Sequence, residues 1–156
     1  MRDLPIFGSF DLVWAIDDAV NYLLEVEELA MALEGMRANM APGALLLFDV
    51  NTLLAYRTFC AETVRVEQGG RRLIWRGQVA VDAPPGSICE AVLEEEGGAI
   101  EPHLHRQRHF PEADVRGALK CAGLNCLAVY GLHTDGILKQ PMDEEIHTKT
   151  VYIAGL

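Results

Sequence analysis

The sequence predicts an α/β fold with an antiparallel β meander, and three patterns carry that reading. Two strand-length apolar runs, each finishing on polar or acidic residues, flank one amphipathic helix. A series of strand-like runs punctuated by Gly and Pro follows. The chain then returns to a helix and two further strands.

The first run, Phe10 to Ile16, is apolar throughout after Asp11, and the second, Ala44 to Val50, is interrupted only by Asp49. Short runs without alternation suit strands covered on both faces, as in a parallel sheet. Between them Val26, Leu29, Ala30, Leu33, Met36 and Met40 recur at three- and four-residue steps, which places one apolar face on a helix. Glu25, Glu27 and Glu28 crowd its start and Arg37 lies near its end, the charge order that the helix dipole favours. Pro42 and Gly43 are expected to stop it. A parallel pair needs such a crossover, so residues 10–52 read as a right-handed βαβ unit.

Thr63 to Gln68 is strand-like, Gly69-Gly70 offers a hairpin turn, and Arg72 to Val81 is a second strand-prone run around Trp75. Asp82 to Ser87 is a turn cluster, because Pro84 and Pro85 oppose a helix and Gly86 reverses the chain. Ile88 to Glu94 is a third run, Gly97-Gly98 turns, and Ile100 to Phe110 extends. Four successive strands with short turns make an antiparallel meander. Pro111 then sits at a first helical position, Val115, Ala118, Leu119 and Ala122 share a face, and Gly123 is a C-cap. Cys126 to Leu132 and Thr148 to Ala154 are the last strands, with a polar loop from His133 to Glu145 between them.

Several of these stretches together resemble a known family. FDLVWAIDDAVNYL, the acidic helix start, APGALLLFDVNT and EPHLHRQRHFPEADVRGALKCAGL are similar to the later part of a class I S-adenosylmethionine-dependent methyltransferase, nearest to the bacterial small-molecule type. The resemblance covers almost the whole chain and implies a partial Rossmann-like methyltransferase fold with an inserted antiparallel meander. It implies one incomplete domain over residues 1–156, with a βαβ core at 1–52, the insert at 63–110 and an α/β return at 111–156. That family opens with a strand, a glycine-rich turn and an acidic residue on the next strand, whereas MRDLPIFGSFDLV resembles a phrase lying after its third strand. The expectation is therefore a back portion that binds S-adenosylmethionine weakly or not at all on its own and is inactive or needs a partner. The strand at Phe10 to Ile16 would keep a bare edge, so a homo-oligomer or a complementary subunit is expected. A non-catalytic binding or regulatory partner is the alternative reading, and a metal-dependent cupin-like enzyme a third.

Three constellations are candidates for chemistry. Asp17, Asp18, Asn21 and Tyr22 leave the first strand at its carboxyl end, where ligands bind in open α/β sheets. Methyl transfer needs a positioned nucleophile and a route for its proton, which a carboxylate or phenol supplies. Tyr22 and Asp18 are therefore the catalytic candidates, and the resemblance implies Asn21 and Tyr22 as acceptor contacts and Ile16 and Asp17 as cofactor-adjacent. Asp17 and Asp18 equally suit a plain helix cap. In EPHLHRQRHF, period two puts His103, His105, Gln107 and His109 on one face and Arg106 on the other. His105 and Arg106 are expected substrate contacts, and no metal is expected. Asp49, with Asn51, ends the second strand and reads as a group that binds backbone or substrate.

Composition bounds the partners. Half of the residues are hydrophobic, which excludes compositional disorder. The net charge of −10 opposes nucleic-acid binding, which relies on Lys and Arg against phosphate. Cys60, Cys89, Cys121 and Cys126 lack the paired spacing of a zinc site and read as reduced thiols. No apolar run reaches membrane-span length and no signal peptide is evident, so the expected partner is a small-molecule substrate and the expected location is cytoplasmic.

Overall fold

A computed structural model describes residues 1–98 and 101–156. Strands β1 (Phe10–Ala15) and β2 (Met40–Asn51) pair in parallel, and helix α1 (Val26–Arg37) crosses between them. β1 is followed by a 3-10 turn at Ala19–Tyr22, and β2 by α2 (Leu53–Phe59). The meander comprises β3 (Thr63–Gln68), β4 (Arg71–Gly77), β5 (Ile88–Glu95) and β6 (His103–Arg108). The chain then gives α3 (Glu112–Cys121), β7 (Asn125–Leu132), the short β8 (Leu138–Lys139) and β9 (Lys149–Gly155).

Two sheets result. The larger runs β1-β2-β9-β7-β8, with β9 antiparallel to both neighbours, and the smaller is the four-stranded meander in chain order. Helices α1 and α3 cover one face of the larger sheet. Leu29, Leu33 and Met36 of α1 and Val115, Ala118 and Leu119 of α3 close over Leu46, Phe48, Val50, Tyr152 and Ala154. Phe48 and Tyr152 stack at 5.1 Å in the middle of this core. On the opposite face Leu12, Trp14 and Leu45 are exposed, and the outer edge of β1 has no strand beside it among the described residues.

The helix does not run to Pro42-Gly43, as the sequence suggested. It ends at Arg37, with Ala38 as C-cap, and Met40 already pairs with Phe10. The next pair is Leu12 with Leu45, so residues 41–44 form a bulge in which Gly43 takes φ 82°. Strand β4 stops at Gly77 and not at Val81. A Cβ at Gly77 would meet the Cys60 carbonyl oxygen at 1.9 Å, so only glycine lets α2's end cross the strand there. Pro111 is the N-cap of α3 and not its first residue. The reach of the fourth meander strand back to Ile100 lies outside the described residues.

Helix α2 escaped the sequence reading. Thr52 caps it, its hydroxyl accepting from the Ala55 N–H at 3.4 Å and donating to the His147 carbonyl at 2.7 Å. The meander is fastened to the larger sheet through buried polar contacts. The Asn21 amide donates to the Arg108 carbonyl at 2.8 Å and its oxygen accepts from the Asn51 N–H at 3.0 Å. The Arg108 guanidinium reaches back to the Leu24 carbonyl at 2.9 Å.

Candidate functional site

The two residues after β1 turn left-handed. Asp17 has φ 63° and Asp18 φ 51°, a conformation costly for non-glycine residues that persists only where surroundings hold it. Asp49 does so from the end of β2. Its carboxylate accepts the Asp17 N–H at 3.0 Å and the Asp18 N–H at 2.6 Å. Lys149, in register with Asn51 at the start of β9, completes the arrangement. Its Nζ lies 3.0 Å from Asp18 Oδ1, 3.3 Å from Asp17 Oδ1 and 3.5 Å from Asp49 Oδ1. Burial alone would lower the pKa of this ammonium. The hydrogen bond to Asp18 and the charges of Asp18 and Asp49 outweigh that effect, and the group ends above its ordinary 10.5.

Asp18 is not a side-chain cap. It occupies the N-cap position of the 3-10 turn without any side-chain cap bond. Its Oδ1 takes Lys149 and its Oδ2 accepts from the Gln107 amide, so both oxygens are engaged. Gln107 in turn presents its Oε1 to the Tyr56 hydroxyl at 3.2 Å and the Asn51 amide at 3.4 Å. One network therefore joins the loop after β1, the end of β2, α2, β6 and β9.

This network floors a pocket of about 360 Å³. Asp18, Tyr22, Asn51, Gln107 and Lys149 supply polar lining, while Tyr56, Phe59, Cys60 and Trp75 supply the wall. At its rim the Tyr22 hydroxyl and His105 Nδ1 are 2.8 Å apart, and the Trp75 ring lies 5.1 Å from the imidazole. Trp75 is itself fixed, its indole N–H donating to the Phe59 carbonyl at 3.1 Å. Burial is the main force raising the Tyr22 phenol above its ordinary value, so at neutral pH it keeps its proton and can donate to His105. Burial likewise pushes the Tyr56 phenol up and the Cys60 thiol to about 11, which leaves neither ionised at neutral pH.

Of the residues singled out from sequence, Asp18 and Tyr22 line the pocket and His105 bonds to Tyr22. Ile16, about half exposed, and the Asp17 carboxylate, almost fully exposed, stand beside it at the end of β1. Asn21 is fully buried and spends its amide on backbone, and Asp49 spends its carboxylate on the loop N–H groups. The structure does not bring Arg106 to the pocket, because alternation along β6 turns it to the other face, where it pairs with Glu90 at 2.8 Å. His109, just past the end of β6, is buried, its Nδ1 accepting from the Gly86 N–H at 3.1 Å. Among the described residues, no group of three or more His, Cys, Asp and Glu is placed to hold a metal ion. Sequence reasoning missed Lys149, Tyr56 and Phe59. A lone cation opening an otherwise apolar closing strand was the available signal for Lys149.

With this geometry in view, the comparison with solved structures defines the fold as a Rossmann-like methyltransferase fold bearing an antiparallel meander. One neighbour is an S-adenosylmethionine-dependent methyltransferase from Clostridium acetobutylicum, with TM-score 0.76 and 18% identity over 99% of this chain and 61% of that one. Another is DesVI of Streptomyces venezuelae, with TM-score 0.63 and 19% identity over 97% of this chain and 61% of that one. A third is the sugar N-methyltransferase KedS8 of a Streptoalloteichus species, with TM-score 0.60 and 22% identity over 97% of this chain and 59% of that one. The likeness is one of fold, and the chain spans about three-fifths of the length of these structures. No family model and no curated protein matches the sequence. No described helix is long and apolar enough to cross a membrane.

Proposed function

We propose that the chain carries the acceptor side of a site for S-adenosylmethionine-dependent methyl transfer to a small molecule. The observation that supports this most is the left-handed Asp17-Asp18 turn, held by Asp49 and Lys149 and opening onto a pocket whose rim is the Tyr22–His105 pair. S-adenosylmethionine, when bound, supplies a methyl group on a positively charged sulfur. The residues present fit one flank of such a molecule: the exposed Ile16 offers apolar contact, and the exposed Asp17 carboxylate offers an acceptor.

Tyr22 and His105 act on the acceptor's proton. As an amine or hydroxyl loses its proton, the Tyr22 oxygen takes it and passes its own hydrogen to His105 Nδ1 across the 2.8 Å hydrogen bond. Lys149 and Gln107 bind both oxygens of Asp18, which positions the Gln107 amide against the pocket floor. Asn21 and Asp49 hold the acceptor side through the backbone they pin.

We propose further that residues 1–156 are the later part of one methyltransferase domain, with the meander as its insert. Additional parallel strands, from the same polypeptide or a complementary subunit, would then pair along the outer edge of β1, and the helices connecting them would shield Leu12 and Trp14 on the face opposite α1 and α3. The open edge also favours a second reading, in which the chain is a non-catalytic partner that completes another subunit through β1.

The test is S-adenosylhomocysteine production, read by mass spectrometry, from S-adenosylmethionine and a panel of small amines and alcohols. It compares the chain alone with the chain fused behind the cofactor-binding strands of the Clostridium acetobutylicum protein. Turnover by the fusion that is lost in Tyr22→Phe and His105→Ala supports the proposal. Turnover that survives both substitutions removes the pair from the chemistry, and a folded fusion with no turnover on any acceptor favours the partner reading.

A further inference from the structure

We infer that Asn51 is a specificity-determining residue: its side-chain oxygen binds an N–H or O–H donor that the substrate carries in addition to its reacting group. This rests on the methyl-transfer reading for the reacting end and adds the residue that recognises the rest of the molecule. The direction of each hydrogen bond in the pocket floor follows from its neighbour. Asp18 takes the Lys149 ammonium on Oδ1 and the Gln107 amide on Oδ2. Gln107 therefore turns Nε2 to Asp18 and Oε1 the other way, where Oε1 accepts from the Tyr56 hydroxyl at 3.2 Å. An amide oxygen only accepts, so Asn51, 3.4 Å from it, must face it with Nδ2.

That orientation leaves Oδ1 of Asn51 over. It has no hydrogen-bond partner among the described residues, and the partly buried Asn51 lines the pocket. An unpaired acceptor in a partly buried site is costly, and a ligand donor relieves that cost. The Asn51 backbone N–H is bound to the Asn21 oxygen at 3.0 Å, so the residue is anchored independently of its side chain. The donors around it are already spent. The Tyr56 hydroxyl serves Gln107 and the Trp75 indole N–H serves the Phe59 carbonyl. Lys149, the one Lys or Arg among the described residues lining the pocket, is shared by three carboxylates. A carboxylate or phosphate entering the floor would meet Asp18 and no free ammonium. A hydroxyl or amine would instead complete Asn51.

The probes are trans-2-aminocyclohexanol, its methyl ether trans-2-methoxycyclohexylamine, and trans-2-aminocyclohexanecarboxylate, each titrated into the chain and followed by amide NMR. No cofactor is present, so a failure of methyl transfer leaves the result standing, and a failure here leaves methyl transfer to its own test. Saturable binding of the amino alcohol is expected, with shifts at the Asn51 and Gln107 side-chain amides. The ether should bind about fivefold or more weakly, the size of one lost hydrogen bond, and the carboxylate more weakly than the alcohol. In Asn51→Leu the alcohol should fall to the affinity of the ether while the ether changes little, a split that a merely structural role would not produce. Circular dichroism melts confirm folding, and Asn51→Ala, which also keeps the backbone bond to Asn21, serves if Asn51→Leu does not fold. Absence of saturation by the amino alcohol, or equal affinity of alcohol and ether, would overturn the inference. Equal or tighter binding of the carboxylate, or an alcohol preference that persists in the folded variant, would overturn it too.

Discussion

Replacing Lys149 by methionine keeps the aliphatic stem and removes only the ammonium that three carboxylates share. Its Nζ is within 3.5 Å of Asp17, Asp18 and Asp49, and the side chain is 18% exposed. Asp17 is almost fully solvated and contributes little. Asp18 and Asp49, at 21% and 11% exposure, are left as facing anions at the base of a left-handed turn. Loss of an exposed pair costs up to ~1 kcal/mol and of a buried partner ~3–5, so this partly buried cluster should cost about 2 kcal/mol. For a chain of this length that is a fall in Tm of roughly 4–8 °C. Urea titration and a thermal melt at pH 7 measure it, and Asp18→Asn in the same background should recover part of the loss. The pH dependence has a definite sign. Lys149 sits above its ordinary 10.5, so its stabilisation is complete below that pH and disappears as pH rises through the raised value. The gap between wild type and Lys149→Met should therefore close at strongly alkaline pH. A loss under about 0.5 kcal/mol, the size of an ordinary surface change, would refute the idea that Lys149 holds the turn.

Gly131→Ala should abolish stable folding or lower stability by about 3 kcal/mol, at the top of the overpacking range, because the new Cβ would meet the buried His147 ring at 2.3 Å; a thermal melt checks it. Asn21→Ala should cost about 2–3 kcal/mol, since the Arg108 carbonyl and the Asn51 N–H lose their partner in a buried setting, as urea titration would show. Tyr22→Phe should change stability by less than about 1 kcal/mol while lowering turnover of the strand-completed fusion, which separates chemistry from packing. With an aromatic disulfide reagent at pH 8, exposed Cys121 should react first. Cys60 and Cys89 should stay protected until unfolding, because burial removes access and pushes their thiols to about 11 and about 12; intact-mass spectrometry follows the order.

The parts of the fold readable from sequence are those written in local periodicity. β3 begins and ends where its alternating Thr63–Gln68 run does, and α1 buries Leu29, Leu33 and Met36 from its predicted face. Gly69-Gly70 turn with positive φ, as a two-residue hairpin requires. Local pattern misled at Pro42-Gly43, where a helix stop and a bulge inside a strand use the same residues. It was silent over Leu53–Phe59, where seven residues are too few to display a helical repeat and only Thr52 marked the start.

The candidate site was legible where it is local, in the loop from Asp17 to Tyr22 that the structure places beside the pocket. The rest depends on register between distant strands. Lys149 meets Asp18 only because β9 pairs with β2 so that Lys149 faces Asn51, and His105 meets Tyr22 only because the meander folds back through Arg108. Neither coincidence is encoded within a window of adjacent residues. Alternation did separate His105 from Arg106, and that alone was enough to set Arg106 outside the pocket.

The most direct test of the proposed site is an amide NMR titration of the chain with S-adenosylhomocysteine, the spent form of the methyl donor, at millimolar concentration. Weak binding is expected from one flank of a cofactor site, with progressive shifts concentrated at Ile16 to Tyr22 and at Thr148 and Lys149. Absence of shifts there at saturating ligand, or shifts centred instead on the α3–β7 side around Arg116 and Val129, would contradict the assignment of the turn after β1 as the place where methyl transfer occurs.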